Sequence, residues 1–293
     1  RAVARRLRLP AWDGRAYGVS IMQGLSRRAF VASALAAGAG YSLWPGRARA
    51  QDAAVGEQGA FTFISCNDLH FTEAKLCAPW FEKTFNAMRA SAPQAEFVLV
   101  SGDLTSECTK PEFAGMREAF EALKLPVYVT CGNHDMTIAG SHDLYDEYFP
   151  NRYHYGFEHR GWQFFGFNTA NGRGAENISM RKSVFEWQDE HLKKYDPRKP
   201  TILFTHFPQG FGLKRRSVNS DQFLERFRDF NVQAILNGHW HGYSETAWRD
   251  AWITTDRCCS RYRSNHDGSP LKGWFVCEAR DGRVTRRFVQ VPA

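Results

Sequence analysis

The chain has 293 residues, enough for one large domain or two small ones, and 43% apolar residues with 23 Phe suffice for a sizeable core. Its net charge of +7 invites a nucleic-acid reading, but nine of the 38 basic residues and only one of the 31 acidic residues lie in positions 1–50. The remaining 29 against 30 give residues 51–293 a net charge of −1, which argues against a nucleic-acid partner for that part.

The first fifty residues read as an export signal. Ser26-Arg27-Arg28-Ala29-Phe30 precedes a modestly apolar run from Val31 to Leu43, then Pro45 and Ala48-Arg49-Ala50. A charged stretch, a short apolar stretch and small residues at a cleavage point form the signal-peptide pattern, and the Arg pair resembles a twin-arginine signal. The run is too short for a bilayer, which needs about 20 apolar residues, so no stable membrane anchor is expected. Met22, just before the Arg pair, is a candidate start. The expectation is a precursor handled by the twin-arginine machinery, cleaved after Ala50 and exported to the periplasm or beyond. Residues 51–60 would be a short linker and 61–293 one domain. The seven Cys (66, 77, 108, 131, 258, 259 and 277) lie beyond the signal, with no C-x-x-C pair and no zinc-finger spacing. They are read as small buried residues, with room for one bridge.

Beyond residue 60, β-rich runs alternate with helical ones. Strands are expected at Phe61–Cys66, Phe97–Ser101, Val127–Cys131, Thr201–Thr205 and Val232–Leu236, each apolar and mostly β-branched or aromatic. Helices are expected from Pro79 to Arg89, Pro111 to Leu123, Ser183 to Tyr195 and Ser220 to Phe230. Tyr153 to Phe167 alternates like a hairpin, and Gly273 to Val291 reads as another, turned at Asp281-Gly282. The alternation implies an α/β domain with a largely parallel inner sheet, and the hairpins suggest a second, more antiparallel sheet packed on it.

Each of the five strands runs into a polar cluster: Asn67-Asp68-Leu69-His70, Gly102-Asp103, Gly132-Asn133-His134-Asp135, His206-Phe207-Pro208 and Asn237-Gly238-His239-Trp240-His241. The C-terminal edge of an α/β sheet is where sites are normally built. In Asp68-x-His70 and His239-x-His241, extended backbone would send both side chains of a pair to one side. Carboxylates, an amide and imidazoles without a thiolate favour Mn, Fe or Zn. Seven such donors are too many for one tetrahedral zinc but suit two ions if a carboxylate bridges them. Any one of these motifs is a weak signal. Five in order, each ending a strand, are a strong one.

The ordered set D-x-H, G-D, G-N-H-D, T-H-x-P and G-H-x-H, here Asp68–His70, Gly102-Asp103, Gly132–Asp135, Thr205–Pro208 and Gly238–His241, resembles the calcineurin-like metallophosphoesterases. The C-terminal hairpin is similar to that of their cyclic-nucleotide phosphodiesterase branch. The resemblance implies a four-layer α/β/β/α sandwich, two packed sheets flanked by helices. It implies that Asp68, His70 and His241 bind a first metal, that Asp103 bridges, and that Asn133, His206 and His239 bind a second. A metal-bound hydroxide would attack phosphorus and His134 would protonate the leaving oxygen. Ser106 stands where protein Ser/Thr phosphatases have their second Asp, and the Tyr ligand of purple acid phosphatases is missing.

The expected activity is hydrolysis of small phosphate mono- or diesters. A nuclease, a phospholipid-headgroup hydrolase and a non-catalytic scaffold are the rivals; the mature charge opposes the first, and a complete ligand set opposes the last. Asp135 is expected to orient its neighbours. His142, His154, His159, His191 and His266 are read as structural, though His266 could line the site. Gly212 to Arg216 is either an anion-binding loop or a solvated basic one.

Overall fold

The computed structural model describes residues 59–292. The expected export signal and most of the expected linker lie outside the described residues.

The parallel strands fall into two mixed sheets. One has the order β11-β10-β1-β2-β3, in which β1 (Phe61–Cys66), β2 (Ala95–Val100) and β3 (Val127–Val129) are parallel. The hairpin of β10 (Gly273–Arg280) and β11 (Arg283–Gln290) adds to β1 antiparallel. The other has the order β4-β5-β6-β7-β9-β8. Its parallel members are β5 (Trp162–Phe167), β6 (Pro200–Thr205), β7 (Asn231–Asn237) and β9 (Ala251–Thr255). Antiparallel edges come from β4 (His154–His159) and β8 (Ser244–Trp248).

The inner strands β1, β5 and β6 are buried at every residue because both faces of the sheets are covered there. Phe63, Phe97, Leu99, Phe164, Phe204 and Leu236 pack between the sheets. Phe63 stacks on Phe97 at 5.4 Å, and Phe97 meets Phe164 of the other sheet edge-on at 5.3 Å. The alternate residues Ile64, Val98 and Val100 face α1 (Cys77–Ser91) and α2 (Lys110–Leu123). Phe165, Leu203 and Ile235 pack with α4 (Lys182–His191) and α5 (Ser220–Glu225). This is the expected α/β/β/α arrangement.

Several details differ from expectation. The parallel strands are shared between two mixed sheets instead of gathered in one, because each hairpin extends a sheet edge. The helix expected to reach Phe230 ends at Glu225. Beyond it the chain continues in i→i+3 turns, such as Phe227 N–H to the Leu224 carbonyl at 2.9 Å. Phe223, Leu224 and Phe227 stay buried all the same, since tight turns bury a three-residue spacing as well as a helix does. Residues 183–195 divide into α4 and a 3₁₀ turn at Leu192–Lys194. The short α3 (Asp143–Tyr148) and the β8–β9 hairpin were not foreseen. All seven cysteines are buried free thiols.

Candidate metal centre

The loops after β1, β2, β3, β6 and β7 converge at one edge. The segment after β1 is held by the segment after β2: Asp68 N–H donates to the Gly102 carbonyl at 3.1 Å and His70 N–H to that of Asp103 at 2.9 Å. The backbone here is not the extended one expected of the D-x-H and H-x-H pairs. Asp68, His70, Asp103, His239 and His241 all have φ between 45° and 66°. Non-glycine residues pay for this left-handed region, and such outliers cluster at functional sites. The loops also approach too closely for side chains at their motif glycines. A Cβ on Gly132 would lie 2.1 Å from Asp103 Oδ1, and one on Gly102 2.6 Å from the His206 ring.

The donors form two groups sharing Asp103. In the first, His241 Nε2 is 3.0 Å from Asp68 Oδ1 and 3.1 Å from His70 Nε2. His70 Nε2 is 3.4 Å from Asp103 Oδ2. In the second, His206 Nε2 is 3.2 Å from Asp103 Oδ1 and 3.0 Å from Asn133 Oδ1. The His239 ring lies 5.0 Å from that of His206. The ligating atoms of Asp68, His70, Asp103 and His241 all lie within 4.8 Å of one another, as do those of Asp103, His206 and His239. All seven side chains are buried, and only His134 of the eight predicted site residues is partly exposed.

Backbone carbonyls fix the rings. His206 Nδ1 lies 3.0 Å from the Ser101 carbonyl, His241 Nδ1 3.3 Å from that of Ser264, and His239 Nε2 2.7 Å from that of Ala175. An imidazole that donates one N–H outward presents its other nitrogen inward as a ligand. His134 Nδ1 is likewise 2.7 Å from the Ser106 carbonyl. Asp135 behaves as expected: its carboxylate accepts from the N–H groups of Leu104, Thr105 and Gly132 at 2.8–3.1 Å and so ties two site loops together.

Two buried carboxylates demand cationic charge. Burial opposes ionisation of Asp103, yet His206 and His134 hold it well below the usual carboxylate range. Burial likewise opposes the charged form of His206, but Asp103 and Asp68 push it up to about 9. His239, buried and beside His206, falls to about 3. With side chains alone, imidazolium must offset the carboxylates. The same oxygen and imidazole donors, free of thiolate, fit borderline divalent ions, and His70 Nδ1 is buried without a hydrogen-bond partner.

Sequence reasoning missed the loop 168–181. From it, Arg173 Nη2 donates to the Ser106 carbonyl at 3.1 Å and lies 3.2 Å from His134 Nδ1. Only the glycines around Arg173 hint at a turn there; nothing local says that it folds over the centre. His266 both sits in a turn and borders the site, its ring 5.2 Å from that of His241.

The calcineurin-like phosphoesterase family matches residues 61–243. A probable glycerophosphodiester phosphodiesterase of Arcobacter nitrofigilis is 26% identical over 197 residues, 64% of this chain and 71% of the relative. A probable cyclic nucleotide phosphodiesterase of a Synechococcus species is 22% identical over 204 residues, 64% of this chain and 76% of that one. In structure, a purple acid phosphatase from yellow lupin (Lupinus luteus) seeds superposes with a TM-score of 0.61 over 80% of this chain and 52% of its own. At 12% identity that likeness shows the fold alone. With a buried Asp/His cluster that could hold metal at the edge where these motifs meet, the chain belongs to the calcineurin-like phosphoesterase family and is a metal-dependent phosphoester hydrolase.

Proposed function

We propose that the protein hydrolyses phosphate mono- or diesters at a two-metal centre. The observation that carries this reading is Asp103, whose two oxygens face different histidine groups, Oδ2 toward His70 and Oδ1 toward His206. Asp68, His70 and His241 would hold one ion, Asn133, His206 and His239 the other, and Asp103 both. Bound there, two ions of Mn, Fe or Zn would supply a nucleophile at neutral pH and positive charge for the phosphoryl group.

The remaining work falls to the chain. In hydrolysis, the oxygen of water becomes bonded to phosphorus, the ester P–O bond breaks and the departing alkoxide takes a proton. His134 is the partly exposed imidazole beside His70, with ring centroids 4.8 Å apart. Its Nδ1 is tied to the Ser106 carbonyl, which leaves Nε2 to carry the proton for the leaving oxygen. Both curated relatives bear names of phosphodiesterases, which favours diesters.

A turnover screen tests this. After chelation and reloading with Mn, Fe or Zn in turn, the chain should cleave at least one among aryl phosphates, glycerophosphodiesters and cyclic nucleotides. Activity should vanish on chelation and return with metal. No turnover of any ester with any of these metals would overturn the reading.

We further propose that the chain is exported through residues 1–50. Replacing Arg27 and Arg28 with Lys should trap an unprocessed precursor in the cytoplasm, because a receptor reads the pair. Unchanged processing of that double variant would count against the proposal.

A further inference from the structure

Among the described residues, the exposed large apolar side chains are Leu76, Ile138, Phe211, Val218, Tyr243 and Tyr262. Isolated exposed apolar residues are ordinary on any surface. These are unusual in their distribution, because every one lies in a loop at the site-bearing edge. Leu76 ends the segment after β1, and Ile138 follows the Gly132–Asp135 motif. Phe211 and Val218 follow His206, Tyr243 follows His241, and Tyr262 lies in the loop after β9. The hairpin turns at the opposite edge, at residues 160–161 and 281–282, carry none. Ile138 is 92% exposed at the tip of a turn closed by Gly140 N–H on the Thr137 carbonyl, and Phe211 is 84% exposed. Neither residue belongs to a buried core cluster.

The loops at this edge also carry an excess of basic residues, an excess the opposite edge shares, so the exposed apolar tips are what set this edge apart. The loops 67–76, 101–109, 130–142, 168–181, 206–219, 238–243 and 256–272 hold ten Lys or Arg, none of them buried. They hold four acids outside the buried Asp68, Asp103, Asp135 and Asp256. This excess belongs to a domain whose net charge is −1 over residues 51–293. The cations also sit with the exposed rings: Arg216 lies 5.9 Å from the Phe211 centroid, Arg257 5.8 Å from that of Tyr243 and Arg261 5.6 Å from that of Tyr262. Apolar tips ringed by Arg and Lys match the two terms of interfacial binding, insertion of apolar area and attraction to anionic headgroups.

We propose that this edge docks on an anionic phospholipid bilayer, so that the centre meets phosphate esters of lipid headgroups. The docking is peripheral, since no helix among the described residues is long and apolar enough to cross a membrane. The substrate class rests on the two-metal reading; the docking edge does not.

The test uses the full Mn-loaded chain and co-sedimentation with vesicles of phosphatidylcholine alone or with phosphatidylglycerol. Wild type should bind the anionic vesicles, less so at high salt. The variants Ile138→Ser/Phe211→Ser and Lys75→Gln/Arg261→Gln should each bind them about tenfold more weakly. Residues 1–50 are common to all three proteins, so the difference belongs to the loops. Both variants should turn over a soluble aryl diester as wild type does. Equal vesicle binding by wild type and variants, equal binding to both vesicle types, or binding to neither would overturn the proposal. Wild type that shows the expected partition but no soluble turnover would fault the hydrolase reading while supporting the docking edge.

Discussion

Substituting His134 with Asn is expected to lower turnover of an alkyl phosphate ester by about 10²–10⁴-fold while metal content stays as in wild type. His134 adjoins the proposed ligand Asn133, yet its ring belongs to neither donor group, and its Nδ1 is committed to the Ser106 carbonyl at 2.7 Å. What remains is Nε2 of a partly exposed residue, beside the proposed ligand His70. An alkoxide needs that proton badly and an aryl oxide hardly at all, so the loss on an aryl ester should be much smaller. Equal losses on both esters would mean that His134 stabilises the phosphoryl group. Loss of an ion from the variant would mean that the ligands are wrongly assigned.

The largest effect is expected from Asp103. Asp103→Asn should remove metal from both sites and take turnover down to the level of the chelated chain, because this carboxylate is the one residue that belongs to both donor groups. Asn133→Ala should instead lower occupancy at one site. The contrast can be read by elemental analysis beside turnover. Asp103 also accepts the backbone N–H of His134 at 2.9 Å, so the Asn variant bears on the proposed proton donor as well as on the proposed ions. An Asp103→Asn protein retaining wild-type metal content would remove the shared-ligand assignment.

Much of this was legible in the sequence, for a physical reason. Strands covered on both faces must be apolar throughout, so Phe61–Cys66 and Thr201–Thr205 stand out as runs, and the polar residues that end them have no reason in packing to be there. What stayed hidden depends on non-local pairing. Nothing within Gly273–Arg280 says that it joins β1, and Ser244–Trp248 alternates too weakly to announce an edge strand. The helix expected to reach Phe230 failed because burial of Phe223 and Phe227 follows from tight turns as readily as from helix. The left-handed backbone at Asp68 and His70 was invisible because no glycine marks it. Arg173 and the Ala175 carbonyl reach the centre only through the path of a whole loop, which no local pattern encodes.

The measurement that bears most directly on the proposed two-metal centre is the number of ions per chain. Purified protein, stripped and reconstituted with Mn, Fe and Zn in separate preparations, should hold about two ions per chain by elemental analysis with at least one of them. A content of one ion or none in every preparation would contradict the account, since Asp103 would then have no second ion to share.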